Sequence, residues 1–136
     1  MLQLNAATGA PRRWLRAEGA AMLAAATIAY GATGQSWWLF LALFFVPDLS
    51  FAAYLLGPAA GALGYNLLHS YAIPLALIAC ASLAWPDEQH AGASGGNLRL
   101  ACGVSLVWLA HIGFDRMLGY GLKYPSAFRD THLGRL

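Results

Sequence analysis

Apolar residues in this chain come in long runs rather than in the alternating or three-and-four spacing of half-buried elements. Four runs reach roughly twenty residues, the length that crosses about 30 Å of hydrocarbon. They cover about 15–32 ("LRAEGAAMLAAATIAYGA"), 36–56, 59–84 and 98–119. Gly31 to Gln35 and Gly57-Pro58 separate the first three, and turns that brief join antiparallel neighbours. Residues 86–97, "PDEQHAGASGGN", read as the one long solvated loop, with His90 an exposed loop histidine. The pattern predicts an all-α polytopic membrane protein. Its expected form is an antiparallel four-transmembrane-helix bundle, a single domain over 1–136, with residues 120–136 as an interfacial C-terminal tail.

Composition agrees: 59% of the 136 residues are apolar and 10% charged, where a soluble domain carries about a quarter charged. The net charge of +2, without basic residues interleaved with exposed aromatics, argues against nucleic acid as a partner. Cys80 and Cys102 lie in apolar segments with no CxxC spacing and read as small hydrophobes. Glu18 inside the first run, and the lack of an A-x-A site before a polar start, argue against a cleaved signal peptide.

With four spans, Arg12, Arg13 and Arg16 share a side with Arg116, Lys123, Arg129 and Arg135, leaving Arg99 opposite. The positive-inside rule then places both termini in the cytoplasm. Trp14, Trp37, Trp38 and Trp85 near span ends suit interfacial anchoring.

The few polar residues inside the runs converge in depth. At 1.5 Å per residue, Asp48 lies about 12 Å from the cytoplasmic end of its span, and Asn66 and His69 about 10 to 15 Å. His111 and Asp115 lie about eight and four residues from that end of the fourth span, and Glu18 a few residues into the first. His111 and Asp115 are spaced i, i+4 and Asn66 and His69 i, i+3, so each pair shares a helix face. Pro47 loosens the turn beside Asp48, and Pro74 is expected to kink the third span one turn past His69.

Imidazoles and carboxylates brought from different helices make a workable zinc or other divalent-metal shell, and a bound water is then acidified toward about pH 7. The candidate ligands and catalytic residues are Asp48, His69, His111 and Asp115. Glu18, Tyr65, Asn66, Arg116, Tyr120, Lys123 and His132 are the supporting residues. No HExxH motif is present. The same groups also suit a structural network, with Asp48 or Asp115 paired to Arg116 and His69 bonded to Asn66 or Tyr65. Two functions stay open. One is a metal-dependent hydrolase acting on a lipid or amphiphile. The other is a non-catalytic subunit of a membrane complex, or a small carrier. Expected partners are membrane lipids and either further copies of the chain or a larger membrane complex.

In "GPAAGALG", Ala60, Gly61 and Gly64 form a small-residue face suited to seating a neighbouring helix. After the fourth span, Gly119 and Gly121 break the helix and Pro125 keeps it broken. Tyr120, Tyr124 and Phe128 then read as interfacial anchors, with Lys123 and the arginines near anionic headgroups. Asp130, Thr131 and His132 are within reach of the polar cluster, but a plain interfacial tail is the expectation.

"PDLSFAAYLLGPAAGALGYNLLHSYAIPLAL" together with "WLAHIGFDRMLGYGLKYPSAFRDTHLG" resembles a bacterial membrane family, domain of unknown function 4260, over roughly Trp14 to Gly134. The matching positions are Pro47, Asp48, Tyr65, Asn66, His69, His111, Asp115, Arg116, Gly119, Tyr120, Gly121, Lys123, Thr131 and His132. The resemblance implies a small integral membrane protein and brings no activity; with both termini cytoplasmic, the expected location is the bacterial inner membrane. A more distant similarity, to intramembrane metal-dependent hydrolases such as the ceramidase-like group, rests on Asp and His ligands from different helices. Their fuller motifs are not reproduced here.

Overall fold

A computed structural model describes residues 6–84 and 92–135. Helix α1 spans Gly9–Ala32 and α2 spans Trp37–Phe44. A 3-10 helix over Val46–Leu56 continues α2, followed by α3 (Pro58–Leu68), α4 (Ala72–Leu83) and α5 (Gly92–Leu118). A short antiparallel hairpin, β1 (Asp130–Thr131) and β2 (Gly134–Arg135), ends the chain.

These segments form four rods. Three stretches are long and apolar enough to cross a membrane: Trp37–Leu56, Pro58–Leu83 and Gly95–Leu118. The first expected span, α1, is not among them, because it is rich in Ala and Gly and carries Arg16 and Glu18. It lies antiparallel along α5, where Gly19 and Gly113 let the backbones touch. A Cβ on Gly113 would stand 2.6 Å from the Leu23 nitrogen, and one on Gly19 would stand 2.7 Å from the Met117 nitrogen. Ala26, Leu109 and Ala110 form the buried core of this seam.

Two of the four rods depart from the expected continuous helices. Pro47 cannot donate to the carbonyl four residues back, so α2 stops at Phe44 and the chain tightens into an eleven-residue 3-10 helix. Side chains three apart eclipse in that form, so Asp48, Phe51 and Tyr54 stand in one row. The third rod breaks outright at His69 to Tyr71 rather than kinking at Pro74. Continuing the helix would drive the Pro74 ring against the carbonyl of Ser70, so the break falls one turn earlier and Pro74 sits in the first turn of α4.

Gly61 seats the Tyr54 ring, and a Cβ on Gly64 would meet Ala53. The small-residue face thus packs within the chain. Residues 92–97, expected as loop, are the start of α5. His90 and Trp85 lie outside the described residues.

The tail is also not the plain interfacial segment expected. Lys123, Asp130, Thr131 and Leu133 are buried. Asn66 holds the Lys123 backbone from both sides, its Nδ2 donating to the carbonyl at 2.9 Å and its Oδ1 accepting the N–H at 2.6 Å. The His132 carbonyl accepts from the Ala7 N–H at 2.7 Å, and a Cβ on Gly134 would contact the Arg12 guanidinium. The cations at the chain's start therefore share one end of the bundle with Arg116, Lys123 and Arg135. At the other end, the Arg99 carbonyl accepts from Gln35.

Candidate metal centre

Each of the irregular rods delivers one polar side chain to α5. The 3-10 helix presents Asp48 at the head of its row, the cap just past the end of α3 presents His69, and α5 presents His111 and Asp115 one turn apart. One ligand atom from each lies within 4.8 Å of all the others. His69 Nε2 stands 3.1 Å from His111 Nε2, 3.4 Å from Asp115 Oδ2 and 3.6 Å from Asp48 Oδ1. His111 Nε2 is 3.5 Å from Asp48 Oδ1 and 4.0 Å from Asp115 Oδ2. Ligands at the 2.0–2.1 Å typical of zinc are separated by tetrahedron edges of about 3.3–3.4 Å. The five separations bracket that value.

The proton inventory is informative. His69 Nδ1 lies 3.0 Å from the Tyr65 carbonyl, which can only accept, so Nδ1 carries the hydrogen, and in the neutral ring Nε2 then faces the cluster as a lone pair. The Tyr65 ring stacks on His69 at 3.7 Å between centroids, and its hydroxyl donates to Asp115 Oδ2 at 2.8 Å. Tyr65 therefore orients one imidazole and one carboxylate, the outer role that metal sites usually fill. His111 packs edge-on against Phe44, and its buried Nδ1 has no hydrogen-bond partner among the described residues.

Arg116 does not pair with the carboxylates. Among the described residues, the basic groups within 4.0 Å of Asp48 and Asp115 are the two imidazoles. Arg116 instead donates to the His69 carbonyl at 3.1 Å, and Trp108 Nε1 donates to the Leu68 carbonyl. These two α5 side chains satisfy carbonyls that the break in α3 leaves without helical partners.

The remaining expected residues scatter. Glu18 is exposed on α1 and is not part of the cluster. Asn66 clamps the tail instead of touching the ligands. His132 Nδ1 accepts the Leu122 N–H at 2.8 Å, and burial, reinforced by the Arg116 charge, lowers its pKa. Tyr120 and Lys123 line a cavity of about 440 Å³ whose walls include Asp48 and Asp115. The Lys123 ammonium sits 3.8 Å from the Phe128 ring centroid and 4.8 Å from that of Tyr65, and burial lowers its pKa against the opposing pull of Asp115.

Sequence reasoning missed Phe51, which stacks on Tyr65 and packs against Phe128, and Trp108 as a cap on α3. The signal for Phe51 was its spacing of three from Asp48, legible only once the 3-10 form is known.

A family model described as "Domain of unknown function (DUF4260)" matches residues 12–136 of the chain. Searches of curated proteins and of solved structures return no match.

Proposed function

The chain belongs to the DUF4260 family, a membership that assigns no activity, and from its site we propose that it is an intramembrane metal-dependent hydrolase acting on an amphiphile. The observation that carries this reading is the inward lone pair of His69. Its Nε2 has three other ligand atoms within 3.6 Å, and His111 has at most one proton to share with it. Acceptors crowded on a lone pair repel, and a cation at their centre reverses the sign. A doubly protonated His69 would serve the carboxylates poorly, because 3.4 and 3.6 Å exceed the roughly 2.7–2.9 Å of a charge-assisted bond. Two aspartates also balance a divalent ion, which lowers the cost of burying charge in hydrocarbon.

Zinc suits the donor set best, since imidazole and carboxylate are both among its ligands. A divalent ion held there supplies Lewis acidity and acidifies a water toward about pH 7. His69, His111 and Asp115 would hold it, with Asp115 oriented by Tyr65. Asp48 is the most open of the four, its side chain 34% exposed, and faces the cavity, where it can take up the proton of an attacking water. In hydrolysis of an ester, the water oxygen would bond to the acyl carbon, the acyl C–O bond would break with its electron pair leaving on the alkoxide oxygen, and the proton taken up by Asp48 would pass to that oxygen to give the alcohol. The clustering of cations at one end supports both termini lying on the cytoplasmic face of a bacterial inner membrane.

One observation favours a structural network instead: the 3.1 Å between the two Nε2 atoms also suits a direct imidazole–imidazole hydrogen bond. Elemental analysis of the detergent-purified protein separates the two. About one divalent ion per chain, lost in both His69→Ala and His111→Ala, supports the hydrolase. Wild-type protein that purifies folded, takes up no stoichiometric ion when offered zinc and binds none after dialysis supports the network and overturns the proposal.

A further inference from the structure

Lys123 is buried, at 4% exposure, yet among the described residues its ammonium makes one hydrogen bond, to the Phe128 carbonyl at 2.7 Å. An ammonium has three donors, so two remain unspent among ring faces that cannot accept a conventional bond. The residue lines the cavity of about 440 Å³ shared with Asp48 and Asp115, a size within the range of small-molecule sites. Phe51, Phe114, Leu118 and Phe128 make most of the remaining wall apolar. On the other side of the cluster lies an apolar hollow of about 170 Å³ formed by Leu43, Val46, Pro47, Leu68, Val104 and Trp108. Pro47 and Leu68 directly precede Asp48 and His69, so the ligand cluster stands between a space with an unspent cation and a space suited to hydrocarbon.

We propose that the amphiphile is anionic, its phosphate or carboxylate group paired with the Lys123 ammonium in the cavity and its alkyl chain directed toward the apolar hollow. This rests on the metal reading above, because the bound ion cancels the two aspartates that would otherwise repel the anion. Lys123 and the apolar hollow then fix the two ends of the substrate, leaving the bond between them at the ligand cluster.

The test measures binding of four probes to zinc-loaded, detergent-purified protein, with metal content determined on the same samples. The probes are lysophosphatidate, a monoacylglycerol of the same chain length, lysophosphatidylcholine and inorganic phosphate. Lysophosphatidate is expected to bind at least tenfold more tightly than the two probes without net charge, and more tightly than phosphate. Lys123→Gln is expected to remove most of that preference and Lys123→Arg to retain it. The comparison of probes on wild-type protein stands even where a Lys123 variant fails to fold. Protein that carries zinc but binds the monoacylglycerol as tightly as lysophosphatidate overturns the anion assignment alone. Phosphate binding as tightly as lysophosphatidate overturns the amphiphile and makes the ligand a soluble anion. Protein that carries no zinc overturns the metal reading, and the anion assignment falls with it.

Discussion

The two sides of α5 face opposite kinds of structure. Toward α1 it meets a regular helix through Gly113, Leu109 and Ala110; around Gly19 and Gly113 the backbones touch, Ala26 packs beside them, and the one ionic group among the described residues that bonds across, Arg16, donates to the Met117 carbonyl at the end of the helix. Toward the 3-10 helix and the α3–α4 break it presents Trp108, His111, Asp115 and Arg116, and each of these finds a polar partner or ligand neighbour there. Regular helices satisfy their own backbone and leave the bundle dry. Irregular ones release carbonyls and re-aim side chains, and both need polar partners that a lipid-facing surface does not supply. The contrast suggests a division of labour, in which the α1–α5 seam holds the frame and the two broken rods build the site.

Breaking the seam is expected to have the largest effect. Gly113→Leu forces a side chain into the Leu23 backbone, where no flexible neighbour can yield. Overpacking usually costs about 1–3 kcal/mol, and a clash against backbone lies at or above the top of that range. Thermal unfolding in detergent should show a large fall in Tm or loss of folded protein. A Gly113→Leu variant as stable as wild type would show that α1 is not anchored to α5 as described.

Changing the irregular side should instead spare the fold and damage the site. Tyr65→Phe keeps the stack on His69 and removes only the hydroxyl that donates to Asp115. Loss of such an outer partner usually weakens metal binding by about 10–100-fold, while one hydrogen bond contributes about 1 kcal/mol to stability. Zinc titration against a competing chelator, run beside a melting curve, reads both quantities. Equal zinc affinity in the two proteins would remove Tyr65 from the site.

Asn66→Ala extends the comparison to the tail. It deletes the two bonds to the Lys123 backbone, so docking of residues 119–135 should weaken by about 1–3 kcal/mol. Hydrogen exchange should rise across that segment while α1 and α5 stay protected. Unchanged exchange in the tail would mean that its buried side chains, Leu133 above all, hold it without Asn66.

How much of this was legible in the sequence follows the same division. On the regular side α5 was readable because an unbroken α-helix needs only length and apolarity, and it was placed within a few residues of its membrane part, whereas α1 was read as a helix but is not apolar enough for the span expected of it. The i, i+4 spacing of His111 and Asp115 pointed to one face for the same reason. On the irregular side the prolines were visible but their outcome was not. Pro47 marks where an α-helix fails without dictating the 3-10 form that follows, and that form alone aligns Asp48, Phe51 and Tyr54. Arg116 was misread because a charge beside a carboxylate invites pairing, and only the break at His69 supplies the carbonyl it bonds. Glu18 shares the expected depth, but depth does not fix the angle around the helix axis, and its side chain points outward. The tail's burial was hidden because its partners, Asn66 and the residues before α1, are far away in sequence.

The smallest expected effect is a pH dependence of the tail. His132 accepts a hydrogen bond at Nδ1 from the Leu122 N–H, which requires that nitrogen to be bare. Burial and the nearby Arg116 charge lower its pKa in the docked state, whereas in an undocked tail it titrates near the usual value of about 6.5. Above that pH both states are neutral and docking is at full strength. As pH falls below it, the undocked tail takes up a proton that the docked tail refuses, so docking weakens until the lower, docked-state pKa is passed. Hydrogen exchange of residues 119–135 should therefore quicken between pH 7.5 and pH 5, after correction for intrinsic exchange. The seam between α1 and α5, which has no titrating group in that range among its contacts, should not change. His132→Gln, which cannot take up that proton, should flatten the response in the tail. If the variant keeps the wild-type slope, the sensitivity belongs to another group and His132 is only a packing residue.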